Sequence, residues 1–418
     1  MFREIPLPGI SSSMRALPRL LGVATAVPPY PLDQDDVVER VKLLFGHSEN
    51  LDRLLPVFTN TGIRRRYSCV PIEWYDREHG WAERNSIYLA SALDLLEAAT
   101  RRLLDSTGRD KSEIDNIVVV STTGIATPSL DARLMERMGL RRTVRRLPIF
   151  GLGCAGGVIG LARAASQAAV APGETVLFLT VELCALAFRR DDWSKSNIVA
   201  TALFGDGASG ALLSTVGEGP AVVAAGEHTW PHSLDVMGWE VADSGFSAIF
   251  SRDIPQLVAT QLHDIASDFL ARHGLELGDI DRFVCHPGGA KVVAALERAF
   301  GLGQGALVDA WGVLRDYGNM SATTVMFVLE RMLAEACATG ERWERALMNA
   351  LGPGFTAGFL VLDNRWTTLH RSSARRAAAR SRAGLGASQE TKAHATMAAQ
   401  GGAVSWLRAA MSERGQGR

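Results

Sequence analysis

The stretch Gly151-Leu-Gly-Cys154-Ala-Gly-Gly157, continued by Val158-Ile-Gly-Leu-Ala-Arg-Ala-Ala-Ser-Gln-Ala-Ala169, decides the fold of this 418-residue chain. Its second part is small and apolar on every side, which predicts a helix buried at the centre of the fold. Its first part places one thiol, Cys154, among glycines directly before that helix. A helix N-terminus stabilises negative charge, and glycines let a ligand approach the backbone closely. The stretch therefore predicts a nucleophilic cysteine whose pKa is lowered.

Strands and helices alternate along the chain, and the same order occurs twice. Helical periodicity covers residues 32–58 and 84–104 in the first half, and residues 253–273 and 291–300 in the second, with a further helix starting near Ser321. Buried strands are predicted at residues 117–122, 175–181, 210–215, 282–285, 346–351 and 358–362. This order predicts an α/β protein built from two similar halves.

The predicted halves are residues 1–218, which carry Cys154, and residues 219–364. Residues 365–418 change in composition to Ala, Arg, Ser and Gly. Such a segment buries little apolar surface, so it is predicted to be mostly disordered. Its basic character leaves contact with an anionic surface open, although a solvated extension is the favoured interpretation.

Composition limits the class of protein. The 44 basic residues balance the 45 acidic ones, which argues against a nucleic-acid-binding protein. The five cysteines are scattered without C-x-x-C spacing, which argues against a disulfide framework or a metal site. No apolar run is long enough for a transmembrane helix, and residues 1–19 have no secretory signal. We therefore expect a cytoplasmic enzyme.

Two further stretches supply groups that complement a thiol. Cys285-His286-Pro-Gly-Gly289 places an imidazole at the end of a predicted strand, and Tyr317-Gly-Asn319-Met-Ser321 places a carboxamide before an apolar helix. Alone, such a histidine usually completes a hydrogen-bond network and such an asparagine usually caps a helix. Together with Cys154 they form the set needed for acyl transfer through a thioester, with Asn319 as a donor to an enolate or oxyanion.

Five motifs in this order resemble the type III polyketide synthases, the chalcone and stilbene synthase family. They are Gly-Cys154-Ala-Gly-Gly, Leu203-Phe-Gly-Asp-Gly-Ala208, His286-Pro-Gly-Gly, Gly318-Asn-Met-Ser and Gly352-Pro-Gly-Phe-Thr-Ala357, within residues 20–363. The resemblance implies the thiolase-like five-layer α-β-α-β-α fold and a homodimer. It implies acyl-coenzyme A and malonyl-coenzyme A as substrates, and neither a metal nor an organic cofactor.

The resemblance also implies roles for particular residues. Cys154 accepts the starter acyl group and carries the growing chain, while His286 and Asn319 assist decarboxylation of malonyl-coenzyme A. Phe204 matches an aromatic gatekeeper between the coenzyme A tunnel and the cavity. Substrate contacts are further implied for the remaining matched positions, which are Thr122, Ser321, Gly354 and Arg53. Two other positions of the nucleotide-phosphate set hold Pro56 and Asn60, so those phosphate contacts are expected to be rebuilt.

Three small side chains depart from the plant members of the family. Ala248 falls where a second gatekeeper phenylalanine is found, Thr127 where a methionine reaches the partner subunit, and Ala187 where a threonine lines the cavity. With Glu182-Leu-Cys184-Ala-Leu186, they resemble bacterial alkylresorcinol and alkylpyrone synthases, which implies long-chain fatty acyl starters. All three departures are counted among the substrate-binding positions.

Two alternatives stay open on the sequence. A chain-initiating β-ketoacyl carrier-protein synthase shares the fold and the Cys, His and Asn set, but usually has His-Gln-Ala-Asn where this chain has His286-Pro-Gly-Gly. A non-catalytic thiolase-like subunit that only binds acyl groups is disfavoured by the intact set of three.

Overall fold

The computed structural model describes residues 16–45, 55–192, 194–242 and 245–365. The strands within these ranges are β1 (Arg19–Ala26), β2 (Tyr30–Asp33), β3 (Arg65–Ser68), β4 (Ile114–Val120), β5 (Arg145–Ile149), β6 (Thr175–Leu183), β7 (Asp206–Ser214), β8 (Ala221–Thr229), β9 (Met237–Ala242), β10 (Gly245–Phe250), β11 (Arg282–Cys285), β12 (Arg345–Gly352) and β13 (Thr356–Asp363). The helices are α1 (Gln34–Phe45), α2 (Pro56–Asn60), α3 (Trp81–Thr107), α4 (Leu130–Met138), α5 (Gly156–Val170), α6 (Lys195–Leu203), α7 (Ile254–Arg272), α8 (Ala290–Ala299), α9 (Val308–Tyr317) and α10 (Thr324–Thr339).

The main sheet repeats one pattern of strand pairing. In the first half β1 pairs with β7 and β7 with β6 antiparallel, and β6 pairs with β4 in parallel. In the second half β8 pairs with β13 and β13 with β12 antiparallel, and β12 pairs with β11 in parallel. The two sets meet at the single pair Arg19↔Ala221. The two halves are therefore similar, as predicted.

Helix α5 lies between the two sets of strands and packs against both. Its small residues make this possible. A Cβ on Gly157 would lie 2.2 Å from the carbonyl oxygen of Ala322, and one on Gly160 would lie 2.6 Å from Val120. Helix α10 is its counterpart from the second half and also contacts strands of both halves. The central helix predicted from the sequence is confirmed.

The remaining long helices cover the outer faces. Helix α3 packs on β1, β6 and β7, and it ends at Gly108, which is left-handed at φ 65°. On the other side, Phe269 of α7 stacks on Phe359 of β13 with ring centroids 5.2 Å apart. Helices therefore form an outer, a central and a second outer layer around two layers of strands. The predicted five-layer α-β-α-β-α fold is confirmed.

The helical pattern over residues 32–58 does not form one helix. Leu32 belongs to the short strand β2, α1 ends at Phe45, and α2 begins only at Pro56. The sequence also provided no prediction for the β9–β10 hairpin, whose two strands pair with each other and with no other strand in the described part of the chain. Neither strand of this hairpin alternates between buried and exposed residues, so the period of two that signals a strand with one buried face is absent.

The predicted boundary between residues 218 and 219 lies in the loop that joins β7 to β8. Residues 366–418 of the predicted tail lie outside the described ranges. None of the helices in the described part of the chain has the length and apolar character needed to cross a membrane.

Candidate active site

Cys154 lies in the short 3-10 turn Gly153–Ala155, which leads directly into α5. The turn packs against the loop Gly352-Pro353-Gly354 without room for side chains. A Cβ on Gly153, whose φ is 48°, would lie 2.6 Å from Cδ of Pro353, and one on Gly352 would lie 2.4 Å from the carbonyl oxygen of Leu152. Gly153 and Gly352 belong to two separate motifs, and this one backbone contact explains why both are glycine. The same contact fixes the position of the thiol.

His286 follows β11 directly. Its backbone N–H donates to the carbonyl of Asn349, at 2.8 Å, so the β11–β12 pairing fixes where the ring enters the site. The ring is buried, and neither ring nitrogen has a hydrogen-bond partner among the described residues. Burial lowers the pKa of His286 to about 3. The imidazole is therefore neutral, with one N–H donor and one nitrogen acceptor open to a ligand.

Asn319 contacts the motifs that carry the other two predicted catalytic residues. Its backbone pairs with both neighbours of Phe204, because its N–H donates to Leu203 at 2.8 Å and its carbonyl accepts from Gly205 at 3.0 Å. The side-chain Oδ1 lies 4.0 Å from the Cys154 Sγ and accepts from the backbone N–H of Ser321 at 2.8 Å. The Nδ2 donates to the carbonyl of Gly288, in the loop after His286, at 3.2 Å. These partners orient the amide with its second Nδ2 hydrogen left for a ligand.

The predicted lowering of the Cys154 pKa is wrong. Burial raises the pKa of the thiol to about 12, and the hydrogen bond with Ser321 offsets this only in part. The turn does precede a helix N-terminus, but the loss of hydration destabilises a thiolate by more than the helix dipole stabilises it. The resting site therefore contains a neutral thiol near a neutral imidazole.

Glu182 is a functional candidate that the sequence analysis did not assign. Its Oε2 accepts from the backbone N–H of Thr122 at 3.0 Å and from Oγ1 of Thr123 at 2.8 Å, while Oε1 has no partner among the described residues. Burial raises its pKa to about 8, so it is mainly protonated at neutral pH. Thr122 in turn accepts from the N–H of Gly153 at 3.2 Å. The available signal was one acidic residue in the otherwise apolar strand β6.

Phe204 belongs to an aromatic cluster that the sequence analysis missed. Its ring centroid lies 5.9 Å from that of Trp239 and 5.7 Å from that of Phe250. Both aromatic residues belong to the β9–β10 hairpin, in which Ala248 is paired with Trp239. Ala248 does pack beside Phe204, but the space beside this small side chain is bordered by Trp239 and Phe250.

Two cavities lie near this site, although none of Cys154, His286 and Asn319 lines either of them. The first, which we call the α1 cavity, has an open volume of about 520 Å³ and is mostly apolar; its lining includes Val37, Val41, Cys184, Ala200 and Phe204. The second, the Thr123 cavity, has an open volume of about 380 Å³. Its lining residues are Trp81, Arg84, Asn85, Thr123, Leu186, Ala187, Arg189, Trp239 and Phe246.

The other predicted substrate-binding residues are distributed unevenly. Ser321 and Thr122 are buried beside Cys154 and Glu182, and Gly354 lies in the loop that packs on the Cys154 turn. Ala187 lines the Thr123 cavity. Thr127 is exposed and lines neither cavity. Arg53 lies outside the described residues.

Comparison with known proteins identifies the family. The sequence profile of "Chalcone and stilbene synthases, N-terminal domain" matches residues 11–220, and that of the C-terminal domain matches residues 221–364. The chain therefore belongs to the chalcone and stilbene synthase family, the type III polyketide synthases. It is accordingly an acyltransferase of the polyketide synthase class.

Individual relatives agree with this assignment. A 1,3,6,8-tetrahydroxynaphthalene synthase of Streptomyces peucetius subsp. caesius is 39% identical over 352 residues, covering 82% of this chain and 92% of the relative. A 3,5-dihydroxyphenylacetyl-CoA synthase of Streptomyces toyocaensis is 30% identical, covering 83% of this chain and 91% of the relative. The crystal structure of the tetrahydroxynaphthalene synthase of Streptomyces coelicolor A3(2) superposes with a TM-score of 0.78 at 27% identity, covering 82% of this chain and 99% of that one.

The burial of Cys154 predicts how its alkylation depends on pH. Because the pKa of the thiol is about 12, the rate of modification by iodoacetamide should rise roughly tenfold for each pH unit between pH 6 and 9, without a plateau. Mass mapping of the Cys154 peptide measures this rate, with the Cys154→Ala protein as the control for its assignment. A plateau reached below pH 8 would instead indicate a preformed thiolate–imidazolium pair.

Proposed function

We propose that this member of the family loads an acyl-coenzyme A starter on Cys154, extends it with malonyl-coenzyme A and cyclises the product to an alkylpyrone or alkylresorcinol. The observation that carries the proposal is the meeting of Cys154, His286 and Asn319 in one buried site. Asn319 contacts the thiol on one side and the His286 loop on the other. This complete set also argues against a subunit that only binds acyl groups.

Loading begins from the neutral pair. His286 accepts the thiol proton through its free ring nitrogen as the Cys154 Sγ attacks the thioester carbonyl. The bond from that carbonyl carbon to the coenzyme A sulfur breaks, and the leaving thiolate takes the proton from the imidazolium. The products are acyl-Cys154 and free coenzyme A, and His286 returns to its neutral form. Because burial raises the pKa of the thiol and lowers that of His286, a separated thiolate–imidazolium pair is disfavoured, and proton transfer is concerted with attack on the carbonyl.

Extension uses the same two polar side chains as donors. Malonyl-coenzyme A loses CO₂, and the electron pair of the broken carbon–carbon bond moves into an enolate. The imidazole N–H and the Nδ2 hydrogen of Asn319 stabilise the enolate oxygen. The enolate carbon then attacks the acyl carbonyl, and the carbon–sulfur bond to Cys154 breaks. The thiolate takes up one proton from solvent, which balances the CO₂ lost from the malonyl carboxylate. The lengthened chain can return to Cys154 for another round.

The α1 cavity supports a long-chain starter. Its lining includes the apolar side chains of Leu32, Val37, Val41 and Phe188. An acyl chain gains about 0.8 kcal/mol for each CH₂ moved from water into such a cavity. The synthases named above are named for aromatic products, so the alkyl starter rests on this cavity and on the small residues beside Phe204.

A homodimer is the third part of the proposal. β5 ends the main sheet and pairs only with β4 among the described strands. Leu147 on this strand is 36% exposed, and the following Phe150 is 60% exposed. An open edge with exposed apolar side chains is a template for strand pairing, so a second copy is its natural partner. We place the enzyme in the cytoplasm, where reducing conditions keep Cys154 free.

The catalytic assignment is tested by separating loading from decarboxylation. Cys154→Ala should form no acyl-enzyme by intact mass spectrometry, yet still release CO₂ from malonyl-coenzyme A slowly. Asn319→Ala should lose decarboxylation about a hundredfold or more, since it removes an oxyanion donor. Wild-type decarboxylation by Asn319→Ala would contradict its role. Decarboxylation restricted to malonyl-carrier protein would favour the β-ketoacyl carrier-protein synthase.

The starter assignment is tested by filling the α1 cavity. The wild type should prefer longer acyl-coenzyme A chains from hexanoyl to dodecanoyl. Ala200→Phe should shift that preference to shorter chains while malonyl-coenzyme A decarboxylation stays nearly unchanged. Ala82→Phe, on the exposed face of α3, is the matched control. Competition assays with product mass spectrometry measure the preference. A wild type that prefers acetyl-sized or aromatic starters would exclude the long-chain proposal.

The dimer is tested at the sheet edge. The wild type should run at about twice its 45.0 kDa mass in light-scattering chromatography. Leu147→Asp with Phe150→Asp should shift it to monomer, because two charges would be desolvated at the edge. Leu234→Asp is the control, since Leu234 is 83% exposed away from this strand. A wild-type monomer, or a double variant that stays dimeric, would refute the interface.

A further inference from the structure

The Thr123 cavity contains two arginines whose charges are poorly matched. Its nine lining residues include Arg84 and Arg189 but no carboxylate. The two guanidinium groups are close enough that Arg189 contributes to lowering the pKa of Arg84, although burial is the larger cause. Two partly buried cations beside each other are unfavourable unless an anion or a strong acceptor lies between them.

Arg189 is the less well satisfied of the two. Its side chain is only 12% exposed, and the one ion pair found for it among the described residues is with Asp191, 3.9 Å from Nε. Within the described ranges its guanidinium donates one hydrogen bond, to Oγ of Ser247, at a long 3.3 Å. By contrast, Arg84 donates to the carbonyls of His79, Leu186 and Phe188. These hydrogen bonds fix its guanidinium in the wall of the cavity.

Cys154 is not among the residues that line this cavity, but two adjacent threonines link the cavity wall to the turn that carries the thiol. Thr123 lines the cavity and donates to Glu182, and the adjacent Thr122 accepts from the N–H of Gly153, the residue before Cys154. A polyketide grows at its thioester end, so the newest β-keto oxygens always remain near Cys154 while the alkyl end moves away. The α1 cavity is also lined by two arginines, but Arg40 pairs with Asp76 and Arg66 donates to the carbonyl of Ala202. Its remaining lining is mainly apolar and suits the alkyl end of an acyl chain, whereas the Thr123 cavity, with the weakly paired Arg189, suits the keto end.

We propose that Arg189, supported by Arg84, binds the oxygens of the β-keto segment in the Thr123 cavity and so determines how far the chain is extended before release. This inference rests on the proposed function and names a subsite of it. A β-dicarbonyl presents two oxygens in one plane, which suits the planar fork of a guanidinium. Charge-assisted hydrogen bonds of this kind are stronger than neutral ones and strengthen further as the segment becomes an enolate.

The test compares Arg189→Leu with Arg190→Leu. Arg190 carries the same charge on the neighbouring position, but it is exposed and donates to the carbonyl of Asp76. We expect Arg189→Leu to lower the ratio of the most extended product to single-condensation products and released acids by about tenfold or more. Acylation of Cys154 and malonyl-coenzyme A decarboxylation should stay within about twofold, and Arg189→Lys should recover part of the ratio.

The outcomes separate this inference from the proposed function. If the wild type does not acylate Cys154, the proposed function fails first. If it acylates and extends, an unchanged ratio in Arg189→Leu overturns the subsite alone. If Arg189→Leu loses decarboxylation, Arg189 binds the malonyl carboxylate instead. If its effect is confined to ω-carboxyacyl starters, Arg189 binds the starter instead. Either result overturns the inference. If Arg189→Leu does not fold, Arg189→Gln, compared with Arg189→Lys, answers the same question.

Discussion

The contact between backbones around Cys154 is the constraint on which the rest of the site depends. The turn Gly153–Ala155 touches the Gly352–Gly354 loop, and the start of α5 touches Ala322, at distances that leave no space for a Cβ. Through these contacts the thiol of the first half is held against the loops that carry Asn319 and follow β12 in the second half. A methyl group at Gly153, Gly157 or Gly352 would have to push these chains apart. The catalytic geometry is therefore a product of main-chain packing more than of side-chain interactions.

Burial explains the electrostatic state of the site. Cys154, His286 and Glu182 are all removed from water, and in each case the shift of the pKa favours the neutral form. A neutral site costs less to bury than three charges would. Charge then develops only when a substrate supplies it, and the open ring nitrogens of His286 and the free amide hydrogen of Asn319 are placed to receive it. The arginines of the cavities differ from these three groups, because a guanidinium is a permanent charge in proteins.

The sequence predicts much of the fold and the identity of the catalytic side chains, because both leave local signals. The small apolar run after Cys154 predicts a central helix, and glycines around three polar side chains predict close backbone contacts. The roles of those side chains, and of Ser321, Thr122 and Gly354 beside them, stay predictions. The lowered thiol pKa was wrong because burial depends on residues distant in sequence. Trp239, Phe250 and Arg189 were missed for the same reason. Each reaches the site only because the β9–β10 hairpin or the turn before α6 folds back towards it.

That hairpin forms its own two-stranded ribbon and shares no strand pairing with the main sheet. It nevertheless contributes Trp239 and Phe246 to the Thr123 cavity and Phe250 to the cluster around Phe204. Side chains on the ribbon can therefore be exchanged without disturbing any hydrogen bond of the sheet that supports Cys154 and His286. Such a separation of the cavity wall from the sheet that holds the catalytic residues gives an enzyme an evolutionary route to new products at little cost in folding stability.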